Sequence, residues 1–148
     1  MPGSAYAEMG KLEGRRKVLI VDDQELMRLL LAQYVEQDLG AEVTLAGTCE
    51  GALRLLAEKT YDAILLDLMM PGIGGVELLR RIRTDSANKS SPVIIVSVLV
   101  DAPVEDERMS LGRAKAIGAN AVVSKPVDRK ALVAAVKAQL RARAGRPR

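Results

Sequence analysis

Residues 18–24 read Val18-Leu19-Ile20-Val21-Asp22-Asp23-Gln24, four apolar side chains running straight into two adjacent carboxylates. A short continuous apolar run of this kind suits a strand buried on both faces of a sheet. Two acids at its end need compensation, because like charges side by side repel. The rest of the chain shows what could compensate them.

Working outward, short apolar runs alternate with amphipathic ones. Lys17–Val21 is followed by a helical pattern over Glu25–Leu39, with Met27, Leu30, Leu31, Tyr34 and Val35 on one face and Gly40 as its stop. Glu42–Ala46 reads as a second strand, and Thr48 as the cap of a helix reaching about Lys59 through Leu53, Leu55 and Leu56. Tyr61–Leu66 is a third strand, ending at Asp67. The Pro-Gly-rich loop Met69-Met70-Pro71-Gly72-Ile73-Gly74-Gly75 leads into a helix over Val76–Arg83. Pro92–Val96 is a fourth strand, ending at Ser97. A helix within Pro103–Ile117 is stopped by Gly118, and Ala121–Ser124 is a short fifth strand. Asp128 caps a last helix with Leu132, Val133, Val136 and Leu140 inward. Five strand–helix units in alternation predict an α/β fold, a doubly wound five-stranded parallel sheet covered on both faces.

Composition sets limits on function. The 148 residues allow one domain with a full core, and with no Phe or Trp that core is aliphatic. No apolar run approaches the roughly 20 residues of a membrane span, and the N-terminus lacks a secretory apolar stretch, so no membrane association is expected. The single cysteine, Cys49, has no partner for an internal disulfide, which fits a cytoplasmic protein. The absence of histidine excludes a Ser-His-Asp triad and a His-bearing zinc site. The net charge of +3 conceals an uneven distribution: residues 137–148 hold +5, residues 1–16 hold +1, and the middle is at −3. We read residues 1–15 as a flexible leader, 16–141 as the domain and 142–148 as a basic tail. With no aromatics interleaved, the tail is a solvated helix end rather than a nucleic-acid arm.

In parallel sheets of this type ligands bind outside the carboxyl ends of the strands. At those ends stand Asp22 and Asp23, then Asp67, then Ser97, then Lys125 followed by Pro126. Three carboxylates tolerate one another if a divalent cation sits among them and Lys125 offsets the rest. An all-oxygen donor set with waters points to Mg²⁺. Mg²⁺ beside a carboxylate, with a hydroxyl and an ammonium ready for phosphoryl oxygens, suits phosphoryl transfer onto Asp67 as nucleophile. Singly, each group has a plainer role. Asp23 could be a helix cap, Ser97 a loop hydroxyl and Lys125 a solvated lysine. Their conjunction on four strand ends out of five argues for chemistry.

The segments VLIVDDQ (18–24), YDAILLDLMMPGIGGVELLRRIR (61–83), PVIIVS (92–97) and GANAVVSKP (118–126) resemble the response regulator receiver domains of two-component, His-Asp phosphorelay signalling. The resemblance covers residues 16–141 and implies the flavodoxin-like (βα)5 receiver fold. It implies that Asp67 is the phosphoacceptor, loaded from a phosphohistidine on a sensor histidine kinase or phosphotransfer protein. It further implies that Asp23, Asp67 and the Met69 carbonyl ligate Mg²⁺, with Asp22 joining through water, and that Ser97 and Lys125 hold the phosphoryl oxygens. The Lys125–Pro126 peptide is then expected to be cis. Such a domain signals through a downstream protein target and is not an enzyme on other molecules; homodimerisation stays open.

The chain departs from the family pattern in three ways. Val122 replaces the usual aromatic three residues before the lysine, and the branched Val98 follows Ser97 where Ala or Gly is usual. The segment from Ser97 to Lys125 is also longer than usual by about six residues, and insertions collect in loops. The switch residues are thus Ser97, Val98 and Val122, with output expected from a loop around Leu99–Val104 and the helix after it. Two further readings are a receiver-like interaction module with an altered or lost phosphorylation switch, and a Mg²⁺-dependent phosphohydrolase. The phosphohydrolase reading lacks an acid near Asp67, since Leu68 and Met69 supply none. A flavin or nucleotide binder would want a glycine-rich phosphate loop where Asp22-Asp23-Gln24 stands.

Overall fold

The structure is a computed structural model that describes residues 14–84, 87–98 and 112–144. Residues 1–13 of the expected leader (1–15), the expected loop around Leu99–Val104, residues 103–111 of the expected helix and residues 145–148 of the expected tail lie outside the described residues. The strands are β1 (Lys17–Val21), β2 (Glu42–Ala46), β3 (Ala63–Leu66), β4 (Val93–Ser97) and β5 (Ala121–Ser124). Between and after them run α1 (Glu25–Leu39), α2 (Cys49–Glu58), α3 (Gly75–Thr84), the helical residues 112–117 (α4) and α5 (Arg129–Ala144).

All five strands are parallel in one sheet of order β2-β1-β3-β4-β5. Strand alternation divides its side chains between two cores. Leu19, Val21, Ile64, Leu66, Val93 and Ile95 face α2, α3 and α4, where they meet Cys49, Ala52, Leu56, Leu78, Leu79, Ile82 and Ala114. Val18, Ile20, Ala63, Leu65, Ile94, Val96 and Val123 face α1 and α5, against Leu31, Ala32, Val35, Leu132, Val136 and Leu140. Each large aliphatic side chain buried this way contributes about 1.5–3 kcal/mol, which offsets the entropy of ordering the chain.

The helix ends follow the local chemistry of the chain. Thr48 accepts the Gly51 N–H at 3.0 Å and caps α2. The Asp128 carboxylate accepts the Ala131 N–H at 2.9 Å at the start of α5. Gly40, at φ 64°, ends α1 with its N–H on the Glu36 carbonyl. Three details differ from or extend the sequence reading. β3 begins at Ala63, because Tyr61 turns its N–H to the Asn88 side chain at 2.9 Å. Asp23 is not a helix cap; Gln24 holds that position, and its N–H goes to the Asp22 carboxylate at 2.9 Å. Residues 142–144, assigned to the tail, continue α5.

Away from the carboxyl ends, buried polar groups tie the connections together. Asn88, fully buried, accepts from the Tyr61 N–H and donates to the carbonyls of Leu56 and Lys59 at 2.9 and 3.0 Å. The Arg83 guanidinium donates to the carbonyls of Gly118, Ser91 and Lys89 and to Asn120 Oδ1, clasping the end of α3 to the entries of β4 and β5. Burial lowers its pKa.

Candidate functional site

Strand register assembles the acidic cluster. Val21 pairs with Leu66, so the residues that follow them, Asp22 and Asp67, leave the sheet side by side; the Asp67 N–H donates to the Val21 carbonyl at 3.0 Å. Ser97 pairs with Ser124, which places Lys125 just beyond it, and the Lys125 N–H donates to the Ser97 carbonyl at 2.9 Å. Four strands that are remote in sequence thereby deliver their terminal groups to one rim.

Carboxylate oxygens of Asp22, Asp23 and Asp67 all lie within 4.8 Å of one another. Asp22 and Asp67 are buried and Asp23 is exposed. Lys125 stands between the two buried acids, with Nζ 2.8 Å from Asp22 Oδ2 and 3.2 Å from Asp67 Oδ2. The other Asp67 oxygen, Oδ1, accepts from the Ser97 hydroxyl and from the Met69 N–H, each at 3.0 Å. Burial works against the charged lysine, but hydrogen bonding to Asp22 and the fields of both carboxylates outweigh it and raise its pKa above the ordinary value. Lys125 is therefore a full cation near neutral pH. The Lys125–Pro126 peptide is cis.

Asp23, Gln24, Asp67, Met69, Ser97, Val98 and Lys125 line a cavity of about 210 Å³. Met69 and Val98 form its apolar rim, both roughly half exposed. Seven of the eight residues singled out from the sequence therefore gather here. The eighth, Val122, lies within β5, partly buried against the core shared with α2 and α3. Cys49 stays apart from this chemistry. Its thiol is fully buried beside the carbonyls of Pro71 and Gly74, and burial pushes its pKa up.

Two supporting residues were not singled out from the sequence. Gly75 opens α3 directly against the Asp67 loop, its N–H on the Leu68 carbonyl at 3.1 Å; a Cβ there would stand 2.5 Å from both the Asp67 carbonyl oxygen and Leu68 Cα. Arg28 donates from Nη1 to the Asp22 carbonyl at 2.7 Å. The run of glycines around Gly75 was a faint cue to its role, and so was the position of Arg28 on the inward stripe of α1 with Leu31, Ala32 and Val35.

Chemically, three oxygen ligands with a hydroxyl and an ammonium beside them fit a hard divalent cation and an anionic group bound together. Among the described residues no helix is long and apolar enough to cross a membrane.

Comparison with known proteins agrees with this geometry. The model of the response regulator receiver domain matches residues 18–137. A probable chemotaxis protein CheY of Rhizobium etli is 33% identical over 122 residues, which cover 82% of this chain and 90% of that one. A phosphate regulon transcriptional regulatory protein PhoB of Rhizobium meliloti is 36% identical over 126 residues, 84% of this chain but only 52% of the relative. The chain thus spans nearly all of the CheY relative and about half the length of the PhoB relative. The signal receiver domain of an HD domain-containing protein from Pseudomonas fluorescens superposes with a TM-score of 0.78 at 26% identity, over 89% of this chain and 99% of that one.

Proposed function

The chain belongs to the response regulator receiver domain family, and from that premise we propose that Asp67 accepts a phosphoryl group from a phosphohistidine on a partner kinase or phosphotransfer protein. The observation that carries this reading is the pairing of Asp67 itself. One oxygen is held by Ser97 and the Met69 N–H, the other by Lys125, within a cluster of three carboxylates. Those are the donors that a phosphoryl group on Asp67 would need.

Asp23, Asp67 and the Met69 carbonyl, with Asp22 beside them, would hold Mg²⁺, which would supply neutralisation of phosphoryl charge. The steps belong to the chain. An Asp67 oxygen attacks phosphorus in line, a carboxyl oxygen–phosphorus bond forms, and the phosphorus–nitrogen bond to the donor imidazole breaks. The departing nitrogen keeps the electron pair and takes a proton. Lys125 and Ser97, already on the Asp67 oxygens, move their hydrogen bonds to phosphoryl oxygens. No residue of the chain has to act as a strong base.

Val122 lacks the ring of the usual aromatic, and as a β-branched residue it has one short, stiff rotor. The arrival of phosphate therefore leaves the site through Ser97 and the segment after β4 toward a downstream protein target. A cytoplasmic setting suits the buried, unpaired Cys49. The test is incubation with acetyl phosphate and Mg²⁺ followed by intact-mass measurement. Wild type gains one phosphoryl group, whereas Asp67→Asn and wild type in excess chelator gain none. A gain that persists in either control refutes the assignment.

A further inference from the structure

Two of the three acids are aimed by bonds to their own side chains. Asp22 is held at both oxygens, by the Gln24 N–H at 2.9 Å and by Lys125 at 2.8 Å. Asp67 is held by Ser97, Met69 and Lys125. Asp23 differs. It is exposed, and among the described residues no hydrogen bond or ion pair holds its carboxylate. Only its backbone aims it.

The peptide that enters Asp23 carries the Asp22 carbonyl oxygen, and that oxygen accepts the 2.7 Å bond from Arg28 in the first turn of α1. The N–H of Asp22 is fixed too, on the Ala46 carbonyl at 3.2 Å. Just past Ala46 lies Gly47. A Cβ at Gly47 would stand 2.8 Å from Arg28 Nη1 and 3.1 Å from its Cζ. The guanidinium therefore fills a gap between the ends of β1 and β2 that only glycine leaves open.

We propose that Arg28 is a positioning residue for the metal-binding acids: it fixes the peptide between Asp22 and Asp23 and so aims the Asp23 carboxylate, with Gly47 as the gap that admits it. This rests on the Mg²⁺ reading given above. Groups that orient a metal ligand typically change metal affinity about 10–100-fold. A second effect opposes this one, because Arg28 is a cation near a cation site and its removal as a charge would tighten Mg²⁺. The bond is short, and the Gln24 N–H on Asp22 fixes only the peptide after Asp23, so the loss of aim prevails.

The test uses the full chain and Mg²⁺ alone, titrated by calorimetry. Arg28→Met should weaken Mg²⁺ by about tenfold, and Arg28→Lys, which keeps one donor, should restore most of it. Gly47→Ala should reproduce Arg28→Met, since the new methyl meets the far end of a flexible side chain and displaces it without disturbing the backbone. Thermal unfolding of Gly47→Ala without Mg²⁺ should stay close to wild type. Combined with Arg28→Met it should add nothing, the signature of one shared interaction. In the acetyl phosphate reaction, half-saturating Mg²⁺ should rise more than the saturated rate falls. Unchanged or tighter Mg²⁺ binding in Arg28→Met and Gly47→Ala overturns the proposal, as does full additivity of the two. If wild type binds Mg²⁺ and both variants match it, the proposed function stands and the inference falls. If folded wild type binds no Mg²⁺, both fall.

Discussion

Replacing Lys125 with alanine should expose the electrostatic design of the site. The ammonium lies 2.8 and 3.2 Å from two carboxylates whose side chains are only 1% and 7% exposed. Removing one partner of a buried pair costs about 3–5 kcal/mol, because the remaining charge is left uncompensated. The cavity at the mouth lets water relax around the acids, so the lower end applies, about 3 kcal/mol. For a domain of this size one kcal/mol moves the melting temperature by about 3–4 °C, which gives a fall of about 10 °C without Mg²⁺. Mg²⁺ should then narrow the gap. At about a hundred times its dissociation constant a ligand adds about 2.7 kcal/mol, and the mutant, relieved of a competing cation, binds it more tightly than wild type. The pH dependence has a definite sign. A lysine whose pKa is raised by folding stabilises fully below its ordinary value of 10.5 and loses that contribution as pH rises through the raised value. The difference between wild type and mutant should hence be flat around neutral pH and shrink in alkali. The assay is calorimetric melting of both proteins with Mg²⁺ and with chelator. A gap that Mg²⁺ leaves unchanged, or no gap at all, would refute the compensation argument.

Other expectations concern the surroundings of the site. Gly75→Ala should lower stability by about 1–3 kcal/mol in urea unfolding, since the new methyl meets backbone that cannot yield. Asn88→Ala should cost about 3 kcal/mol in the same assay, because it strips partners from the Tyr61 N–H, from the buried Leu56 carbonyl and from the part-buried Lys59 carbonyl. Met69→Asn and Val98→Ala should release the phosphoryl group from Asp67 faster than wild type, followed by loss of the mass gain with time, because apolar bulk at the rim crowds the in-line water. Equal rates would show that crowding is not the control. Cys49 should resist iodoacetamide in the native chain and react on unfolding, since its raised pKa and full burial suppress the thiolate; rapid native labelling would contradict the packing.

What the sequence revealed of this molecule was whatever carries a periodic or terminal signal. Val18–Val21 could be read as a buried strand because both faces are covered, and Asp67, Ser97 and Lys125 because each stands where an apolar run stops. Tyr61 misled the reading of β3: an apolar ring beside an apolar run resembles strand, but its N–H is committed to Asn88, which no local pattern reveals. Asn88, Ser91 and Arg83 act through contacts about 30 residues away and more, so nothing near them in the chain marks their role. Arg28 was hidden for a related reason. Arg28 stands three, four and seven residues before Leu31, Ala32 and Val35 and so shares their inward face, but what it reaches there is set by Gly47, remote in sequence, which the helix pattern does not reveal.

The bond between Lys125 and Asp22 joins residues 103 positions apart, and β5, which ends just before the lysine, is an edge strand paired with β4 alone. Every strand pairing in the sheet is parallel and therefore non-local, the topology that folds slowly. During synthesis the acids emerge long before their counter-charge does. A chain stalled before β5 docks would carry Asp22 and Asp67 with no lysine between them. On the proposed function, competence to accept a phosphoryl group thus depends on β5 docking against β4.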